Sequence, residues 1–167
     1  MGLHVLVRYP PGEDVKLIDE KKWPVRIVFD KPAFRFQGRP DFEIRKIDDD
    51  NLIDEIFYSS LVVTGPTSIP LDAALMRRPC IVADVYPTER NKYGKGWGYL
   101  LDHIKKLFRT GGVWHVETKE EFITAVSAYL KNPELDAEGR ERIRERWFSR
   151  ADGKASVRLV ELLVKNL

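Results

Sequence analysis

Cysteine is almost missing from this chain: Cys80 is the single one among 167 residues. One thiol forms no internal disulfide and no cysteine-based zinc site. Cys80 lies in the apolar run Cys80-Ile81-Val82-Ala83, where a free thiol behaves as a small core hydrophobe. Histidine is scarce as well. His4, His103 and His115 are far apart and none has the spacing of a metal motif, so neither a metal nor a cofactor is expected. No apolar run is long enough to cross a bilayer and no basic-then-apolar leader opens the chain, which points to the cytoplasm. An excess of one charge is lacking too: 28 basic against 26 acidic side chains leave +2, so there is no broad basic field and nucleic acid is not an expected partner. Any anion site must be local. There is no Gly-x-Ser-x-Gly elbow and no Cys/His pair, which removes the usual hydrolytic nucleophiles. No internal repeat and no low-complexity segment is present.

What is present is a hydrophobic content of 43%, enough for the core of one domain of this length. Short β-rich runs alternate with helical periodicity, which predicts βαβ units, an α/β class and a mainly parallel sheet. His4 to Arg8 reads as a first strand and Val25 to Phe29 as a second, with Val15, Leu17 and Ile18 as a short helical face between them. Lys31 to Asp50 reads as a long loop. Asp50 then caps a helix carrying Leu52, Ile53, Ile56 and Phe57 on one face, before Leu61-Val62-Val63 returns as a central strand. After Asp84 comes a glycine-rich basic loop, Tyr86 to Gly98, and a helix with Leu100, Leu101, Ile104 and Leu107. Gly111-Gly112 ends it. Val113 to Val116 reads as a strand, and Thr118-Lys119-Glu120-Glu121 as a capping box opening a further helix. Two C-terminal helices follow within about residues 137–167: one dense in charge from Glu138 to Trp147, whose run Arg140 to Arg146 reads as a solvated face with Ile143 and Trp147 inward, and one from Lys154 to Leu167.

The stretch from Val62 to Leu75, followed by Pro79 to Asp84, carries the chemistry. It reads as a buried strand, a tight turn through Gly65-Pro66-Thr67-Ser68, a helix beginning near Pro70, and a second buried strand. That is how an open α/β sheet holds a phosphate at the carboxyl end of a strand. Thr67 and Ser68 have a plainer reading as helix caps, and both stay open on sequence. Asp72 does not fit a reciprocal capping box, because Ser68 plus three is Leu71; an acid one turn in can instead accept hydrogen bonds from sugar hydroxyls. Arg8 closes the first strand, where a guanidinium can pair two phosphate oxygens or simply lie exposed. Lys92 and Lys95 among Gly94, Gly96 and Gly98 do not fit the Walker pattern; they read as a loop closing over a ligand, with Tyr93 or Trp97 to stack on a base. His4 and His115 read as structural, whereas His103 can donate to a phosphate or act as an acid.

These residues resemble a family. The chain is similar to the C-terminal, donor-binding half of a GT-B-fold transferase, close to the CDP-glycerol glycerophosphotransferase and surface-carbohydrate glycosyltransferase group. That group's Ser-Thr-x-x-Leu-Asp/Glu-Ala segment resembles Thr67-Ser68-Ile69-Pro70-Leu71-Asp72-Ala73, with the hydroxyl pair in swapped order. Its Arg-Pro-His-Pro strand end resembles Arg8-Tyr9-Pro10-Pro11, with Pro10 in place of the histidine. A histidine before Gly-Gly-Val falls on His103, ahead of Gly111-Gly112-Val113. The ending Asp152-Gly153-Lys154-Ala155-Ser156-Val157-Arg158 is similar to the group's Asp-Gly-Lys-Ala-Ser-x-Arg.

The resemblance implies a single Rossmann-like three-layer domain over residues 1–167, one half of a GT-B fold, with a helical C-terminal tail. It implies a nucleotide-activated donor, CDP-glycerol or a nucleotide-sugar, held by Arg8, Gly65, Thr67, Ser68 and Asp72. His103 would be the catalytic contact to the departing phosphate. No metal is implied. An N-terminal acceptor domain is expected as partner, in cis or as a separate subunit, and any membrane association would run through it. On length, the chain reads as a piece of a longer transferase rather than a natural half. Two alternatives are a nucleotide-sugar epimerase half-domain and a non-catalytic interaction module on the same fold.

Overall fold

The computed structural model describes residues 2–11, 25–32, 34–35, 42–85, 97–148 and 150–166. The chain forms two compact units, Met1–Tyr58 and Ser59–Leu167.

In the first unit, strand β1 (His4–Arg8) pairs in parallel with β2 (Arg26–Asp30), in a register that sets Arg8 opposite Asp30. Two residues each of β3 (Phe34–Arg35) and β4 (Phe42–Glu43) pair antiparallel inside the stretch read from sequence as one long loop. The helix expected to be capped by Asp50, and so to start at Asn51, begins five residues earlier: α1 runs Lys46–Tyr58. Its start is fixed by Asp48 instead, whose carboxylate accepts the Arg45 backbone N–H at 2.9 Å and is buried. This is the back-reaching half of a capping box. Asp50 serves a different purpose, accepting Lys46 Nζ across one helical turn. Of the apolar face expected on α1, Ile56 is buried while Ile53 and Phe57 remain exposed. The helical face expected at Val15, Leu17 and Ile18 lies outside the described residues.

The second unit is a βαβαβ run. Strand β5 (Val62–Thr64) leads through the 65–68 turn into helix α2 (Ile69–Leu75), which returns to β6 (Cys80–Ala83). A 3₁₀ turn (Trp97–Leu100) and helix α3 (Asp102–Phe108) then connect to β7 (Trp114–Val116). The sheet order is β5-β6-β7, all parallel. Helices α4 (Lys119–Lys131), α5 (Ala137–Trp147) and α6 (Ala155–Lys165) complete the chain. This is the α/β, Rossmann-like class with small parallel sheets that the sequence implies.

Strand alternation assigns the two faces of this sheet. Ile81, Ala83, Trp114 and Val116 share one face and pack on Phe122, Ala125, Val126 and Tyr129 of α4. The opposite face carries Val82 and His115, and there the His115 ring stacks against Phe108 of α3 and Tyr99 of the 3₁₀ turn. Helix α4 starts as the sequence says it should. Thr118 accepts the Glu121 N–H at 3.1 Å while Glu121 accepts the Thr118 N–H at 3.3 Å.

Helix α5 packs against α2, and its charged run is not uniformly solvated. Arg140 is 2% exposed, with its guanidinium donating to the carbonyls of Leu135 at 2.6 Å and Pro133 at 2.8 Å. Burying a guanidinium costs free energy unless its N–H groups are paired; the loop carbonyls pair Nη1 and Nη2, while Nε is buried without a partner among the described residues. Ile143 is fully buried, as the pattern predicts. Helix α6 has a strong apolar face but no buried residue; Val157, Val160, Leu163 and Val164 are all exposed.

Candidate functional site

The turn after β5 is built by local hydrogen bonding. Thr67 Oγ1 accepts the Ile69 N–H at 3.3 Å and shares a hydrogen bond with Thr64 Oγ1 at 3.1 Å. The Thr67 N–H donates to the Gly65 carbonyl at 2.9 Å. Thr67 thus holds the turn together. Ser68 is in the N-cap position of α2 but makes no side-chain cap bond, and its hydroxyl is exposed. Pro70 fills the first turn of α2, where a missing N–H costs nothing. The two hydroxyls therefore differ: that of Thr67 is engaged in the turn, whereas Ser68 is exposed and makes no cap bond.

Thr67 and Ser68 border a cavity of about 170 Å³ whose other walls are Pro66, Leu71, His103, Ile104, Leu107 and Trp147. The sequence-predicted hydroxyl pair and the sequence-predicted histidine thus meet across one cavity, although 34 residues lie between Ser68 and His103. Helix α3 makes this possible. Ile104 and Leu107 are its buried anchors, and His103, exposed, precedes Ile104 at the cavity. A mostly apolar wall with a few convergent polar groups is the usual make-up of a small-molecule site.

Gly98 closes the same region from another direction. A Cβ there would come within 2.8 Å of Pro66 Cγ, so the last glycine of the Gly94–Gly98 stretch is needed for close packing on the turn. Gly65 is under no such constraint, since a Cβ would meet only Tyr99 Oη at 3.8 Å. Lys92, Lys95, Tyr93, Gly94 and Gly96 lie outside the described residues, as does the side chain of Trp97.

Asp72 does not border the cavity. It is half-buried in the first turn of α2, has no side-chain partner among the described residues, and burial raises its pKa above the ordinary carboxylate value. Arg8 belongs to the first unit. Its Nη1 donates to Asp30 Oδ2 at 2.5 Å and Glu55 Oε2 at 2.9 Å, and its Nη2 to the Asp48 carbonyl at 2.7 Å. The guanidinium fork is already engaged by carboxylates, so an incoming phosphate would have to displace one of them.

A second constellation lies at the carboxyl ends of β6 and β7. Asp84, 2% exposed, is directly past β6; His115 is in β7 and Glu117 just past it. His115 Nε2 is 3.4 Å from Asp84 Oδ2. Sequence reading leaves these three unconnected because His115 is 31 positions beyond Asp84. The available signal is positional: Asp84 and Glu117 are each the first residue after a parallel strand, where open sheets present ligand-binding groups.

The family model described as CDP-Glycerol:Poly(glycerophosphate) glycerophosphotransferase matches residues 33–165. The chain belongs to that family. The match takes in the cavity, all of the second unit's sheet and helices α1 to α5, together with α6 up to its last residue. No curated protein and no solved structure matches the chain significantly. No helix among the described residues is long and apolar enough to cross a membrane.

Proposed function

We propose that this chain is the donor-binding part of a glycerophosphotransferase acting in cell-surface polymer synthesis, and that it takes CDP-glycerol or a related nucleotide-activated donor. The observation that carries the reading is the meeting of Ser68, Thr67 and His103 on one cavity within a chain of this family. The cavity is smaller than the roughly 300–1,000 Å³ of a site that encloses a whole ligand. It suits a phosphoryl-glycerol end, with the nucleoside lying outside it.

In this reading the Ser68 hydroxyl donates to a non-bridging phosphate oxygen, and His103 donates to the phosphate that departs. An acceptor hydroxyl oxygen attacks the glycerol-bearing phosphorus and the bond to the bridging oxygen breaks. The nucleoside monophosphate leaves with that electron pair, and the acceptor's proton passes to a base on the acceptor side. Donors aimed at the oxygen where charge develops lower the barrier more than they tighten ground-state binding. Asp72, which does not border the cavity, has two carboxylate oxygens for the ribose hydroxyls of a nucleoside lying outside it.

Calorimetric titration with CDP-glycerol, CDP, UDP, UDP-sugars and GDP-mannose tests the proposal. One nucleotide should bind saturably, and Ser68→Ala and His103→Ala should each weaken it by about tenfold, the loss of one hydrogen bond to a charged group. Binding by neither CDP-glycerol nor any other nucleotide would overturn the reading, as would binding that both variants retain in full.

A further inference from the structure

The cluster of Asp84, His115 and Glu117 has no part in the donor reading, and it has the composition of a metal site. We propose that these three side chains bind a divalent transition-metal ion of the zinc class. One candidate ligand atom from each residue lies within 4.8 Å of the other two. An ion about 2.0–2.2 Å from each ligand needs neighbouring ligand atoms about 3.4 Å apart, which is already the spacing of His115 Nε2 and Asp84 Oδ2. Glu117 is exposed, and a change of rotamer brings its carboxylate toward the other two.

Three features favour an ion over an incidental grouping. The set is mixed, with one imidazole nitrogen and two carboxylates, which suits zinc or manganese better than the all-oxygen shells of calcium and magnesium. The imidazole is held in place, its ring stacked on Phe108 at 4.2 Å between centroids and 10° between planes, with Tyr99 stacked at 5.8 Å. Ring orientation is the usual task of the groups around a ligating histidine, and here aromatic contacts perform it. The ligands are also anchored at different depths: Asp84 is buried, His115 partly buried and Glu117 exposed, so an ion would be gripped from within and still be reached from solvent. Three protein ligands leave a fourth position for water or an anionic oxygen, as in zinc sites that act on substrates. The inference does not rest on the transferase reading.

The test uses the tag-free chain stripped of metal, titrated calorimetrically with zinc, manganese and magnesium chlorides. One zinc should bind per chain, more tightly than magnesium, and should raise the melting temperature. Glu117→Gln alters an exposed side chain and should leave the metal-free melting temperature unchanged while weakening zinc binding by about tenfold or more. His115→Ala should abolish binding, and His103→Ala should leave it intact. No saturable zinc binding, or binding unchanged in both Glu117→Gln and His115→Ala, would overturn the proposal.

Discussion

Gly112 and Gly139 meet backbone to backbone: a Cβ on either would overlap main-chain atoms of the segment holding the other. The contact presses the first turn of α5 directly onto the turn that precedes β7. Neither glycine is explained by its own backbone angles; a positive φ among these residues occurs at Gly111. Close approach alone demands the missing side chains.

Gly139→Ala should therefore destabilise the chain by about 3 kcal/mol, since backbone cannot move aside as a flexible side chain does. Urea denaturation followed by circular dichroism measures this. Gly65→Ala, where a Cβ meets only ordinary contact distances, should cost far less.

The two hydroxyls of the β5–α2 turn should behave differently. Thr67→Val removes the acceptor of the Ile69 N–H and should cost about 1 kcal/mol. Ser68→Ala removes no hydrogen bond and should stay within about 0.5 kcal/mol of the parent. Thermal melts of the two variants decide it, and a neutral Ser68→Ala would also make that variant a clean probe of ligand contact.

The Arg8 cluster should show pH dependence of a definite sign. Burial raises the pKa of Glu55, opposed by its hydrogen bond and charge interaction with Arg8. Arg8→Met removes the opposing influence and leaves Glu55 beside Asp30. An acid whose folded pKa lies above its unfolded value is destabilising when ionised and relieved when protonated. The deficit of Arg8→Met should thus be largest at neutral pH, about 2 kcal/mol for a partly buried pair, and should shrink as pH falls toward the ordinary Glu value of 4.5. Denaturation at both ends of that window gives the answer.

Cys80 should be chemically silent in the native chain. It is 1% exposed, and burial pushes its thiol pKa up to about 12, so thiolate is scarce and reagents have no path to it. A colorimetric thiol assay should read no reaction in buffer and one equivalent in guanidinium.

Much of this arrangement is legible in the residues, and the exceptions share a cause. Strands β1 and β6 and the capping box at Thr118 follow from patterns a few residues long, which the structure keeps. Local signals suffice where the competing partners are local too. At α1 two acids two positions apart compete for one role, and Asp48 rather than Asp50 takes it because its carboxylate reaches the Arg45 N–H. Arg140 defeats composition outright: a guanidinium in a charged run is read as solvated, but loop carbonyls five and seven residues away draw it inside. The cavity was half legible. Thr67, Ser68 and His103 were visible as hydroxyls and an imidazole near turns and glycines, whereas the walls from Leu107 and Trp147 depend on how α3 and α5 pack. Asp84, His115 and Glu117 were not legible together, because strand pairing alone brings the ends of β6 and β7 side by side.

The inaccessible thiol also makes the chain a ready host for spectroscopic labels. Since the native protein offers no cysteine of its own to a maleimide, any introduced at exposed positions such as Leu3 and Lys119 would be modified without background. A dye pair placed on those two sites would report, in solution and without further engineering, the separation between one unit and the other as nucleotide or zinc is added.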